Sequence, residues 1–305
     1  MKRLLAIVGP TAVGKSELAM SIAEHLPIEI INADSRQIYR YMNIGTGKPS
    51  LSDRKLVPHH LIDIVNPDQS FNLAVYRQLA TEIIFSIQKA GILPVLVGGS
   101  GLYVWSIVEG WRLPQVPPDH KLRQELEIIA KQKGSHSLHK TLQQVDELAG
   151  SKRHPDDTRR IIRALEIYYK TEQPPSTLYG KEQPEFSALI IGLSVERDAL
   201  YRMIHQRVTG MVQQGLVQEV ERLSQMGYKN SLPSMSSIGY NQIYQFLKGQ
   251  LTLPAAIENI ENETHRLVRH QYAWFHLSDK RIQWINISQG SVKEKVLKLI
   301  ESNIF

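Results

Sequence analysis

Three short, mainly apolar runs mark the first hundred residues of the chain: Leu4–Val8, Ile28–Asn32 and Leu93–Val97. Between the second and third lies Leu73–Lys89, which has the length and periodicity of a helix. Short continuous apolar runs predict strands buried on both faces. Their alternation with helix implies a parallel sheet flanked by helices. In such a sheet, functional residues belong at the carboxyl ends of the strands. Three segments fall there: GPTAVGKS at 9–16, Ala33-Asp34-Ser35-Arg36, and Gly98-Gly99-Ser100-Gly101.

The pattern then changes. A proline-rich break at 113–118 leads into helical stretches at 119–133, 138–144 and 157–170. A loop at 173–176 precedes an apolar strand at 188–193. Residues 112–186 are therefore expected to form an all-helical insertion, with 1–111 and 187–305 as the core domain. The remainder reads as helices near 198–226, 238–247 and 254–277 and a late strand at 282–287. The fold class is thus α/β: a P-loop NTPase-like parallel sheet flanked by helices, carrying an inserted all-helical domain.

Composition narrows the chemistry. Of 305 residues, 42% are hydrophobic and 22% charged, ordinary for a globular protein with a full core. There is no cysteine, which excludes disulfides, thiolate metal sites and a cysteine nucleophile. No apolar run approaches the length of a membrane span, and the first strand begins too early to leave room for a signal peptide. A cytoplasmic protein is expected. The net charge of +6 suits a polyanionic partner.

GPTAVGKS follows a strand and opens a helix, the context in which G-x-x-x-x-G-K-[ST] cradles phosphates. Gly9 and Gly14 let successive backbone N–H groups turn inward, Lys15 adds a point charge, and Ser16 offers a hydroxyl to Mg²⁺. The helix that follows directs its positive end at the same anion. Asp34, closing the second strand, reads as a metal ligand or as a general base. Ser100 stands at a strand end where nucleotide triphosphatases often keep a carboxylate, which suits positioning a neutral group.

In the insertion, Asp156 or Asp157 caps a helix whose first turns carry Arg159, Arg160 and Arg163. This is a solvated basic face, a lid over the diphosphate, or a contact to a nucleic-acid backbone. The run RLVRHQYAWF at 266–275 mixes cations with rings, which suits splayed bases or a helix packing Tyr272 and Phe275 inward.

Taken in order, GPTAVGKS (9–16), ADSRQIYRYMNIGTGKP (33–49), PHHLIDI (58–64), VGGSGLYV (97–104), HPDD (154–157), GLVQEV (215–220), SIGY (237–240) and RLVRHQYAWF (266–275) resemble the tRNA dimethylallyltransferases. The resemblance runs along nearly the whole chain and departs from the family pattern at Lys152, Arg202 and Ser236. It implies transfer of a dimethylallyl group from dimethylallyl diphosphate to the exocyclic amine of the adenine immediately 3′ of the anticodon in tRNA. Mg²⁺ would assist, and no ATP would be consumed.

By position, the resemblance gives Gly9, Pro10, Thr11, Ala12, Val13, Gly14, Lys15 and Ser16 to the diphosphate, with Ser16 meeting Mg²⁺. Asp34 matches the general base, Ser100 the hydroxyl beside the target base, and Arg160 and Arg207 the arginines on the leaving diphosphate. Asp34, Ser35, Arg36, Gln37, Ser100, Arg123, Arg159, Arg160, Arg163, Arg269 and Gln271 match tRNA-contacting positions around the anticodon stem-loop. A monomer is expected. Three other readings share parts of this pattern: a P-loop small-molecule kinase, a prenyltransferase acting on free adenosine phosphates, and a non-catalytic RNA-binding module.

Overall fold

The computed structural model describes residues 3–304. The chain divides into two compact units, one formed by 1–108 with 185–305 and the other by Glu109–Pro184.

In the larger unit the chain begins with β1 (Arg3–Val8), α1 (Lys15–Ala23), β2 (Ile28–Asn32), the short α2 (Leu51–Leu56) and β3 (His59–His60). It continues through α3 (Leu73–Lys89), β4 (Leu93–Val97) and α4 (Gly101–Val108). The smaller unit follows as β5 (Trp111–Arg112), α5 (His120–Lys133), α6 (Ser135–Val145), α7 (Glu147–Ser151), α8 (Thr158–Thr171), α9 (Pro175–Leu178) and β6 (Gly180–Lys181). The chain then returns to the larger unit as β7 (Ser187–Ser194), α10 (Arg197–Gln213), α11 (Leu216–Gln225), α12 (Tyr240–Leu247), α13 (Leu253–Trp274), β8 (Ile282–Asn286) and α14 (Val292–Ile304).

Six strands form one sheet in the order β3-β2-β4-β1-β7-β8, every neighbouring pair parallel. All five residues of β4 and five of the six in β1 are buried, as expected of central strands covered on both faces. A core of Leu18, Ala19 and Ile22 from α1 with Val296 and Ile300 from α14 packs on the strands. On β2 and β4 lies α3, capped by Asn72, whose side chain accepts from Ala74 and Val75 N–H. A second core joins α10 to α13 through Ile204, Leu216, Tyr240 and Ile260, among others.

Two sequence expectations change. The helix expected over 198–226 is two helices, because Gly215 adopts a left-handed conformation (φ 102°) that ends α10 and starts α11. The smaller unit is not all-helical: β5 and β6 pair antiparallel, Trp111 opposite Lys181 and Arg112 opposite Gly180. Its own core gathers Leu126, Leu138, Leu142, Ile161 and Leu165. Strands of two residues leave no periodicity to read. Among the described residues, no helix is long and apolar enough to cross a membrane.

Candidate active site

The loop from β1 to α1 is held by its own backbone and by a distant helix. Gly14, with φ 89°, turns the chain into α1. Ala12 also has a left-handed φ of 68°, which costs about 1–2 kcal/mol for a residue with a Cβ. Such a conformation persists only where its surroundings dictate it. Next to it, Thr11 N–H donates to Gln271 Oε1 of α13 at 2.8 Å. Lys15 Nζ donates to the carbonyls of Pro10 at 2.5 Å and Gly9 at 3.1 Å, pointing its ammonium back into the loop. Burial pushes the Lys15 pKa down to about 8, with the Asp34 carboxylate pulling the other way.

This loop walls a polar cavity of about 610 Å³ that also includes Ser16, Asn32, Gln37, Lys48 and Ser50. A second cavity of about 390 Å³ is lined by the 99–103 turn and by Val208, Met211, Leu267 and Trp274. Thr11, Asp34, Thr46 and Arg207 line both. A polar chamber, called the anion chamber after the phosphate loop in its wall, and a largely apolar chamber thus meet at Asp34 and Arg207, with Thr11 and Thr46 beside them.

Asp34 is positioned by its strand. Asn32, at the end of β2 and 3% exposed, accepts from Asp34 N–H at 2.9 Å. The same side chain donates to the carbonyls of Asp34 and Leu61 at 3.0 and 2.9 Å. Asp34 Oδ1 accepts from Arg36 N–H at 2.8 Å. Across the cleft, Ser100 Oγ accepts from Ser35 N–H at 3.1 Å, and Ser100 N–H donates to Ala33 O at 3.1 Å, so the ends of β2 and β4 are joined through Ser100.

Arg207 comes from α10, and burial lowers its pKa while Asp34 opposes that shift. The loop passes so closely that a Cβ on Gly47 would lie 2.1 Å from Arg207 Nη2. Tyr103, stacked on Tyr76 at 3.6 Å between centroids, has its phenol pushed up by burial and stays protonated.

The residues singled out in the sequence separate into groups. Thr11, Ala12, Gly14, Lys15 and Ser16 face the anion chamber. Val13 instead packs in the core at 1% exposure, and Pro10, having no N–H, contributes a carbonyl to Lys15, as does Gly9. Asp34, Ser35, Arg36, Ser100 and Gln271 line the apolar chamber, while Gln37 lines the anion chamber and donates to Thr46 O and Gly47 O. Arg36 also donates to Pro233 O at 2.9 Å. Gln271 is 7% exposed and bridges Thr11 N–H to Gly99 O, so its amide is engaged inside the protein. Arg269 is exposed on α13.

In the smaller unit, the arginines differ from one another. Arg123 grips the fully buried Glu166 with two bonds of 2.8 Å. Arg163 reaches the same carboxylate and also donates to Val116 O at 2.8 Å. Arg159 is exposed, and Arg160, with 78% of its side chain exposed, pairs with Asp157 at 3.1 Å. Asp157 is also the residue that caps α8. Just past the end of α13, Phe275 is fully buried, while Trp274, the last residue of the helix, stays 39% exposed at the apolar chamber. Thr46, within the segment NIGTGKP, carries no site signal of its own in the sequence. No local pattern says that this loop lines the same cavities as the phosphate loop.

Comparison with known proteins finds relatives along nearly the whole chain. The IPP transferase family profile matches residues 37–278, and the isopentenyl transferase profile matches residues 2–60. A tRNA dimethylallyltransferase of Thermomicrobium roseum is 42% identical over 303 residues, covering 99% of this chain and 92% of its own. One from Chloroflexus aggregans is 47% identical over 275 residues, 90% of this chain and 93% of its own. A crystal structure of a tRNA isopentenylpyrophosphate transferase from Bacillus halodurans superimposes with a TM-score of 0.72 at 37% identity, covering 99% of this chain and 95% of that one. A eukaryotic dimethylallyltransferase acting on tRNA gives 0.82 at 25% identity, covering 99% and 79%. The chain belongs to the tRNA dimethylallyltransferase family of transferases.

Proposed function

We propose that this protein transfers a dimethylallyl group from dimethylallyl diphosphate to the exocyclic amine of the adenine immediately 3′ of the anticodon in tRNA. The observation that carries this reading is the meeting of the anion chamber and the apolar chamber at Asp34 and Arg207. The diphosphate occupies the first chamber, against the N–H groups of the loop and Lys15. The adenine enters the second, after leaving the stacked anticodon loop at an unstacking cost of about a few kcal/mol. The rings of Tyr103 and Trp274 and the Ser100 hydroxyl suit a flat, neutral base.

The bond between the allylic carbon and the diphosphate oxygen breaks, and a bond from that carbon to the adenine nitrogen forms. Negative charge grows on the departing diphosphate, where loop N–H groups, Lys15 and Arg207 stabilise it. Asp34 accepts the proton that the amine loses. Among the described residues, no group of three His, Asp or Glu side chains converges on a metal. Mg²⁺ suits the site nonetheless, because it is commonly held by one protein ligand together with substrate phosphates. Ser16, facing the anion chamber at the start of α1, would be that ligand, and the ion would neutralise charge on the leaving group. Arg160 and the exposed Arg159 and Arg269 are proposed to meet the RNA backbone. In this reading the protein works as a monomer in the cytoplasm, where its tRNA substrate is found.

The test is direct. The protein is incubated with Mg²⁺, dimethylallyl diphosphate and an unmodified tRNA bearing an adenine 3′ of its anticodon, and the RNA is digested and searched for isopentenyladenosine. Product on free AMP but not on tRNA would replace this reading with nucleotide prenylation. Phosphate transfer from ATP to a small acceptor, with no prenylated RNA, would replace it with a kinase.

A further inference from the structure

Glu219 lies on α11, outside both chambers, at 7% exposure. Its carboxylate is one of the most heavily bonded side chains of the larger unit. Oε2 accepts from Asn43 and Ile44 N–H at 3.0 Å each, and Oε1 accepts from Ile44 at 3.0 Å and Gly45 at 3.3 Å. Tyr240 Oη of α12 donates to Oε1 at 2.6 Å. Three successive backbone donors on one carboxylate form a nest with the anion supplied by the protein itself.

The nested loop is the one that closes the junction between the chambers. Gly45 lies against the Tyr240 ring, where a Cβ would come within 2.5 Å of it. Thr46 lines both chambers, and Gly47 lies against the Arg207 guanidinium. Gln37 holds the same turn from the other side through the carbonyls of Thr46 and Gly47. α10, α11 and α12 therefore converge on one turn, and α10 also supplies Arg207.

We propose that Glu219 is a positioning residue for the donor site: by anchoring the 43–45 backbone it sets where Gly47 presses on Arg207, and so where the guanidinium meets the diphosphate. This rests on the reading of the anion chamber as a diphosphate site. A carboxylate suits the task because it accepts from several N–H groups at once. In Glu219→Gln the amide keeps one acceptor atom and turns two donor hydrogens toward a nest of donors.

The decisive experiment is a binding cycle with inorganic pyrophosphate and Mg²⁺, measured by calorimetry on wild type, Glu219→Gln, Arg207→Ala and the double variant, with folding checked by circular dichroism and thermal melting. Glu219→Gln is expected to weaken pyrophosphate binding about tenfold in wild type and by less than about twofold when Arg207 is already alanine, the non-additivity of residues acting through each other. Turnover at saturating donor should fall less than kcat/KM for the donor. Equal fold losses on both backgrounds, or a lower melting temperature with unchanged affinity, would reduce Glu219 to a structural residue and overturn the proposal. If Glu219→Gln does not fold, Glu219→Asp, which keeps the charge but draws the carboxylate back from the 43–45 N–H groups, runs the same cycle with the same criteria. Failure of wild type to bind pyrophosphate would refute the diphosphate-site reading itself, a result distinct from additivity in the cycle.

Discussion

Gln271, near the end of α13, accepts a hydrogen bond from the Thr11 N–H of the phosphate loop across 260 positions of sequence. The bond places the loop under the control of a helix whose exposed face carries Arg266 and Arg269. It also spends on Gln271 a backbone donor that would otherwise be counted among those aimed at the anion.

Gln271→Ala should therefore act on the donor side. The variant removes the bond that holds the part-buried Thr11 N–H in a loop already strained at Ala12, a loss of about 0.5–1.5 kcal/mol in loop ordering. KM for dimethylallyl diphosphate is expected to rise about tenfold, since 1.4 kcal/mol is a factor of ten. Affinity for tRNA, measured by filter binding, should stay within about threefold, roughly 0.6 kcal/mol on the same scale. A large loss of tRNA affinity with an unchanged donor KM would return Gln271 to the role of an RNA contact.

The Lys15 ammonium, lowered to about 8 by burial, gives donor binding a pH dependence. Diphosphate favours the charged lysine, so affinity should hold below about pH 8 and weaken by up to about tenfold per pH unit above it. Lys15→Arg should flatten that limb, because a guanidinium does not titrate there, while fitting the loop less well. For folding the sign is opposite. Between about 8 and the ordinary value of 10.5 the unfolded chain holds more protons, so stability attributable to Lys15 should rise with pH across that window. Calorimetric affinities and melting temperatures at stepped pH test both limbs.

Removing the Asp34 carboxylate should separate chemistry from recognition. Asp34→Ala is expected to lower single-turnover rates by about two to four orders of magnitude, the scale of general acid–base catalysis. RNA binding should be nearly intact. If RNA affinity and rate fall in parallel, Asp34 serves mainly to shape the chamber.

The arginines of the smaller unit should divide by burial. Arg123→Ala leaves the buried Glu166 with fewer donors and should destabilise that unit by about 1–3 kcal/mol, read from hydrogen exchange along α5 and α8. Arg160→Ala removes an exposed side chain and should change stability by less than about 0.5 kcal/mol. It should instead reduce the salt dependence of tRNA binding by about one unit of slope. Unaltered tRNA binding would remove Arg160 from the RNA-facing surface.

Several features of this chain are decided by contiguous residues alone. The strands Leu4–Val8, Ile28–Asn32 and Leu93–Val97 need only their own apolar runs, and GPTAVGKS needs only its neighbours to become a phosphate loop. That Asp34 and Ser100 line a cavity was legible for the same reason, since the carboxyl ends of parallel strands open onto a crevice. Gly215 carries its own signal, a glycine between two apolar-periodic segments.

The partners of polar side chains were not legible. Arg123 and Arg163 have the same composition signature as Arg159 and Arg160, yet two clasp a buried glutamate and two face water. Gln271 in a basic, aromatic run reads as a base contact until Thr11 is seen beside it. Glu219 reads as a polar face of an amphipathic helix until the 43–45 backbone closes on it. By itself the sequence determined five of the six strands of the sheet, the loop between β1 and α1 and the class of reaction, because local pattern and motif order suffice for these. Tertiary structure alone decided which side chains line the two chambers and which hold the loops around them, because a hydrogen-bonding group takes whatever partner the fold brings within 3 Å or so, however distant in the chain.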